Sequence, residues 1–154
     1  MAYLNDPIFE VKFFEDDPEF TIEKVPKEML QVDPTFSALQ VEKLAKDIVR
    51  WTKAAKAECT IIMMHEPAVD TLQDLYKEWL ERLISARIHR LPTRKVVLVA
   101  GEISLMYRLT GLLRKEDYNV FCCTTERVSE EKVLPDGSTK KISVFKHIQV
   151  RELL

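Results

Sequence analysis

Two uninterrupted apolar runs, residues 59–64 (CTIIMM) and 96–100 (VVLVA), constrain the fold of this chain more than any other feature. A strand with one wet face alternates apolar and polar residues. A continuous apolar run has no wet face, and such strands belong to parallel sheets covered by helices on both sides. Between the runs, Val69, Leu72, Leu75, Tyr76, Trp79, Leu80, Leu83 and Ile84 recur at helical spacing, which predicts a long amphipathic helix to about Ala86. After the second run, Leu105, Met106, Leu109, Leu112 and Leu113 mark a helix starting near Ile103, and YNVFCC (118–123) reads as another buried strand. Upstream, Ser37 with Gln40 forms a capping-box pattern, followed by an apolar face of Val41, Leu44, Ala45, Ile48, Trp51 and Ala55. Strands alternating with helices predict a parallel sheet joined by right-handed crossovers.

The two ends read differently. IFEVKFF (8–14) has strand character, whereas the acidic, proline-containing stretch 15–34 assigns itself to no element. Near the C-terminus VSEEKVL and STKKISVFKHIQV flank Pro135-Asp136-Gly137, where proline pre-sets a turn and glycine supplies positive φ, so a β-hairpin is expected. Glu130 and Glu131 would lie on one arm, Lys140 and Lys141 on the other. The expectation is one α/β domain over 1–154, a Rossmann-like three-layer sandwich. Its parallel β/α core spans 36–127, and an antiparallel hairpin extension spans 128–153. A length of 154 residues suits a single domain, and 46% hydrophobic with 31% charged residues is ordinary for a globular chain.

Charge and composition exclude several classes. A net charge of -2 and a pI near 6.0 give no global signal for nucleic-acid or membrane-surface binding and no strong argument for DNA. No apolar run approaches the roughly 18 residues of a membrane span, and residues 1–7 lack the pattern of a secretory leader. The three cysteines, Cys59, Cys122 and Cys123, are odd in number and lie in apolar runs, which predicts reduced thiols and a cytoplasmic protein. Cys122 and Cys123 alternate across a strand and read as core without a catalytic role. His65-Glu66-Pro67 lacks the second histidine of a zinc motif, and there is neither a GxGxxG nor a P-loop, so no metal or cofactor is expected.

Ligands of open parallel sheets bind beyond the carboxyl ends of the strands. Three polar clusters follow the apolar runs: His65-Glu66, Gly101-Glu102 with Ser104, and Thr124-Thr125-Glu126-Arg127. Gly101 permits close backbone approach, Ser104 offers a hydroxyl, and Glu102 suits a sugar hydroxyl or proton transfer better than a phosphate. The alternative reading makes Gly101 a strand end and Glu102 a cap. His65 and Glu66 could supply a general base and its partner, or simply a polar loop. Arg127 could grip a phosphate or carboxylate beside the hydroxyls of Thr124 and Thr125 and the carboxylate of Glu126, or form an ion pair with a neighbouring glutamate at the sheet end. Arg87, His89, Arg90, Arg94 and Lys95 form a dense basic patch on the opposite rim.

Gly101-Glu102, Thr125-Glu126-Arg127, Asp136-Gly137, Phe145 and Arg151-Glu152 together resemble a pattern in small uncharacterised bacterial proteins, over residues 96–153. The resemblance implies a Rossmann-like fold and an association with CRISPR neighbourhoods, where such domains bind or cleave cyclic oligoadenylates. The chain departs from the pattern in having Glu15-Asp16-Asp17-Pro18 rather than an Asn-His-Pro segment, and in His147 and Leu153 at positions expected to be aromatic.

Three functions follow, in order. The first is binding or cleavage of a nucleotide or small cyclic oligonucleotide at the strand ends, with a twofold homodimer surrounding a symmetric ligand. The second is a non-catalytic oligomeric interaction protein using the hairpin or the basic 87–95 patch. The third is a metabolic enzyme acting through Glu66, Glu102 and Glu126. Whether the protein is an enzyme stays open at this point.

Overall fold

The computed structural model describes residues 21–55 and 60–154. The elements in chain order are β1 (Thr21–Lys24), a 3-10 turn (Lys27–Leu30), α1 (Ala38–Thr52), β2 (Thr60–Met63), α2 (Val69–His89), β3 (Val96–Leu98), α3 (Ile103–Lys115), β4 (Asn119–Val133) and β5 (Thr139–Glu152). They build a mixed five-stranded sheet ordered β1-β2-β3-β4-β5, parallel except for the antiparallel β4–β5 pair.

The apolar runs are buried on both faces, as their composition demands. Ile62, Met64, Val97, Val99 and Val120 face a layer made by α1 and α3, through Val41, Ala45, Ile48, Leu105, Leu109 and Leu113. Ile61, Met63, Val96, Leu98 and Phe121 face α2, through Leu72, Leu75, Tyr76, Trp79 and Leu83. The α1 cap carries both bonds of the capping box, Gln40 N–H to Ser37 Oγ at 3.2 Å and Ser37 N–H to Gln40 Oε1 at 2.7 Å. Such a cap contributes about 1 kcal/mol and sets where the helix starts.

Layer placement departs from the uniform right-handed expectation. Parallel strands laid side by side in chain order would carry every helix on one face if all crossovers had one hand. Here α2 lies on the face opposite α1 and α3, so the β2–α2–β3 crossover has the opposite hand to its neighbours. Burial outweighs the chirality preference. Without α2, Ile61, Met63, Val96, Leu98 and Phe121 would be wet on that face, at about 1.5–3 kcal/mol for each large side chain.

Other differences are local. The unassigned stretch supplies the edge strand β1. The α2 helix runs to His89 and stops at Arg90, whose φ of 55° is the left-handed cap conformation. Val69 and Ile84, expected on its buried stripe, are exposed. The third buried strand does not end at Cys123, because β4 continues to Val133 as the first arm of the hairpin. Beyond the paired segment Asn119–Phe121, β4 and β5 leave β3 behind as a two-stranded ribbon. The turn closes with Leu134 N–H to Ser138 O at 2.7 Å and Gly137 at φ 84°. Across the ribbon Glu131 faces Lys141, but Glu130 faces Ile142 and pairs instead with Lys146 at 3.2 Å. The expected strand 8–14 and Cys59 lie outside the described residues.

Candidate functional site

The strand order makes β2, β3 and β4 neighbours, which brings the carboxyl ends of β2 and β3 and the extension of β4 to one rim. The connection after β2 leads to α2 on one face and that after β3 leads to α3 on the other. Connections that part in this way open the crevice where open sheets take ligands. His65 and Glu66 are exposed on its β2 side, and Gly101, Glu102 and Ser104 on its β3 side.

Each cluster has local partners. Glu66 pairs with Lys24 of β1 at 3.4 Å. Gly101, at φ 129°, turns the chain from β3 into α3 in a conformation that side-chain-bearing residues rarely adopt. Glu102 is the α3 N-cap: its Oε2 accepts from Ser104 Oγ at 2.5 Å and from Leu105 N–H at 2.9 Å. These two bonds, the Ser104 hydroxyl foremost, hold its carboxyl below the ordinary carboxylate value. The carboxylate occupies the helix N-terminus that a phosphate would otherwise use.

Thr124, Thr125, Glu126 and Arg127 form no loop after a strand. They lie within β4, paired with Gln149, His147, Lys146 and Phe145. Thr124 Oγ1 donates to Gln149 O at 3.1 Å. The ladder shifts register between Thr124 and Thr125, which re-aims the residues beyond it. The Arg127 guanidinium sits over the Phe145 ring at 5.8 Å, and that ring is 69% exposed.

Two ladder pairs inward, on the same face, lies a polar network that a reading of Cys123 as core does not contain. His147, whose side chain is 7% exposed, bridges α2 and the ribbon. Its Nε2 lies 2.6 Å from Asp74 Oδ2, and its Nδ1 lies 2.9 Å from Thr71 Oγ1 and 3.0 Å from Cys123 Sγ. An ionised carboxylate only accepts, so Nε2–H donates to Asp74, and in that tautomer Nδ1 can accept from the thiol or the Thr71 hydroxyl. Cys122 and Cys123 are both part-exposed free thiols rather than sealed core. The hairpin turn held the signal for this network. Counting outward in step from Asp136 sets Thr125 opposite His147 and places Cys123 on the same face. Among the described residues no group of three or more His, Cys, Asp and Glu is placed to hold a metal ion.

The basic patch is divided. Arg87, His89, Arg90 and Arg94 are exposed, but Lys95 is buried, its Nζ donating to Thr52 O and lying 5.2 Å from the Tyr118 ring centroid. Burial lowers its pKa. Arg94 and Lys95 help line a concavity of about 400 Å³ at the amino ends of the strands, away from the rim described above. Among the described residues no helix is long and apolar enough to cross a membrane.

No curated protein and no solved structure matches the chain. A family model does, over residues 64–151, from the residue after β2 to the next-to-last residue of β5, and so takes in Asp74, Cys123, Arg127 and His147. The chain belongs to the uncharacterized protein MJ1673 family.

Proposed function

We propose that the protein binds a nucleotide or small oligonucleotide along the carboxyl-end rim, with the ribbon face of Arg127 and Phe145 as its grip. The observation carrying this reading is the exposed Phe145 ring with the Arg127 guanidinium 5.8 Å above it, on the part of β4–β5 that continues the rim. A bare aromatic face stacks a base, worth about 1–3 kcal/mol, and a guanidinium grips phosphate with paired bonds. Glu102, already a cap, keeps phosphate off the α3 N-terminus and leaves it to Arg127. The Gly101 backbone and the Ser104 and Thr125 hydroxyls then offer contacts to the sugar, whereas Thr124 and Glu126 alternate to the face of β4 opposite Arg127. The resemblance to CRISPR-associated proteins makes cyclic oligoadenylates the first ligands to try.

Thermal shift and calorimetry against mononucleotides, cyclic dinucleotides and cyclic oligoadenylates test the reading. A ligand at a hundredfold excess over its dissociation constant stabilises the fold by about 2.7 kcal/mol. Arg127→Ala and Phe145→Ala should each remove that stabilisation without unfolding the protein. An unchanged melting temperature with every ligand would refute the reading.

A second reading, self-association through the ribbon, has its own observation. Val128, Ile142 and Val144 share one face of a ribbon that extends beyond the sheet, and Val133 at its tip is 69% exposed. A two-stranded ribbon alone is marginally stable, and a second copy would cover it. The resulting homodimer would set two rims around one symmetric ligand. A monomer by light scattering at micromolar concentration would exclude it.

A further inference from the structure

We infer that Cys123 is a nucleophile served by His147 as general base, with Asp74 positioning the imidazole, and that the site accepts a carbonyl electrophile, an activated carboxylic ester or thioester.

The geometry meets the requirements of an activated thiol in order. The nucleophile and base are within hydrogen-bond reach, Cys123 Sγ to His147 Nδ1 at 3.0 Å. The base is held from behind by His147 Nε2–H donating to Asp74 Oδ2 at 2.6 Å, which fixes the tautomer so that the bare nitrogen faces sulfur. The imidazole is nearly enclosed, and Cys123 beside it is a part-exposed residue. The three groups come from three elements, α2, β4 and β5, and no local sequence effect accounts for their meeting. The two ring nitrogens serve different partners on opposite edges, which suits proton relay and not joint ligation of a metal.

The surroundings favour a carbonyl. Thr71, whose Oγ1 lies 3.5 Å from Cys123 Sγ, belongs to the first turn of α2. That helix has Ala68 at its N-cap, with no side-chain hydrogen bond closing the cap. The first-turn N–H groups of α2, on the turn that carries Thr71, have no side-chain cap and are the donors we assign to the oxyanion of a tetrahedral intermediate. A phosphoryl centre would want cations against it, and Arg127 stands two same-face positions outward from Cys123 along β4.

The chemistry closes on itself. The thiol proton passes to His147 Nδ1 as sulfur bonds to the carbonyl carbon. Collapse of the intermediate expels the alcohol or thiol of the substrate, which takes that proton and leaves an acyl thioester on Cys123. Water then gives a proton to Nδ1 and attacks the thioester, and the departing sulfur recovers the proton. The sum is hydrolysis of one ester bond with no other co-reactant. The inference does not rest on nucleotide binding, since acylation of the thiol needs no nucleotide.

The neighbouring Cys122 provides an internal control, because it faces Arg151 on the opposite side of the ladder. The full-length protein is treated with p-nitrophenyl acetate, and peptides are mapped by mass spectrometry over time. Acetyl groups should accumulate on Cys123 at least about tenfold faster than on Cys122, with a matching burst of p-nitrophenolate. In His147→Asn the Cys123 rate should fall by about a hundredfold, the scale of general-base assistance. Asp74→Ala should lose most of the rate, as should Asp74→Asn, whose amide N–H can donate to Nε2 and leave the ring in the wrong tautomer, and Asp74→Glu, which keeps an acceptor-only carboxylate, should restore part of it. Far-UV circular dichroism checks that each variant is folded. Equal acetylation of the two cysteines in the unmodified protein would overturn the inference without recourse to any variant. So would an unchanged Cys123 rate in folded His147→Asn, which would leave the network as a structural bridge between α2 and the ribbon.

Discussion

Truncating Ile61 and Ile62 one at a time tests the central structural claim, that β2 is covered on both faces. The two side chains are adjacent and both 0% exposed, yet Ile61 packs under α2 and Ile62 under α1 and α3. Ile→Ala removes the equivalent of three methylene groups, about 2.4 kcal/mol at about 0.8 kcal/mol each. Incomplete collapse adds roughly 24 cal/mol per Å³ of residual cavity, so a void of about 50 Å³ adds about 1.2 kcal/mol. Each variant should therefore lose about 3–4 kcal/mol, a large part of a typical domain stability of about 5–15 kcal/mol. Urea unfolding followed by circular dichroism reads this as a lower midpoint with an unchanged slope. If either substitution cost less than about 0.5 kcal/mol, as surface positions do, that face of the strand would be uncovered and the three-layer arrangement wrong.

Tyr76, buried under the sheet, has its phenol pushed up to about 12 from 10.0. The unfolded chain therefore ionises first, so this contribution is intact below pH 10 and is lost as pH rises towards 12. The loss should be on the order of 2–3 kcal/mol in alkaline urea titrations, and Tyr76→Phe should abolish it. Lys95 has the opposite sense: burial lowers its pKa from 10.5, so the unfolded chain holds its proton to higher pH. Its contribution to stability is present above 10.5 and lost as pH falls through the folded value, and urea midpoints of Lys95→Met should lack that slope. Phe145→Ala should change stability by no more than about 0.5 kcal/mol, because the ring is largely exposed, so any lost binding in that variant reports on the ligand contact.

The ribbon shows why the site was only partly legible. The hairpin turn was readable because Pro135 and Gly137 act on their own φ angles, and local conformational preference needs no distant partner. The rim clusters at His65-Glu66 and Gly101-Glu102 were also readable, since they mark where apolar runs end. Thr124 to Arg127 was misplaced for a related reason. Polar residues past an apolar run look like a strand end, whereas in β4 they mark the point at which a continuing strand leaves the sheet.

The sequence by itself determined the α/β class, the buried strands, the three helices and the turn, because hydrophobic periodicity and capping act over neighbouring residues. Tertiary structure alone decided that α2 crosses to the opposite face, that Lys95 is drawn into the interior, and that Asp74, Cys123 and His147 meet. Those outcomes depend on which faces are left to be covered and on the register of strands far apart in sequence. A pattern along one chain does not encode such contacts until the sheet brings its ends together.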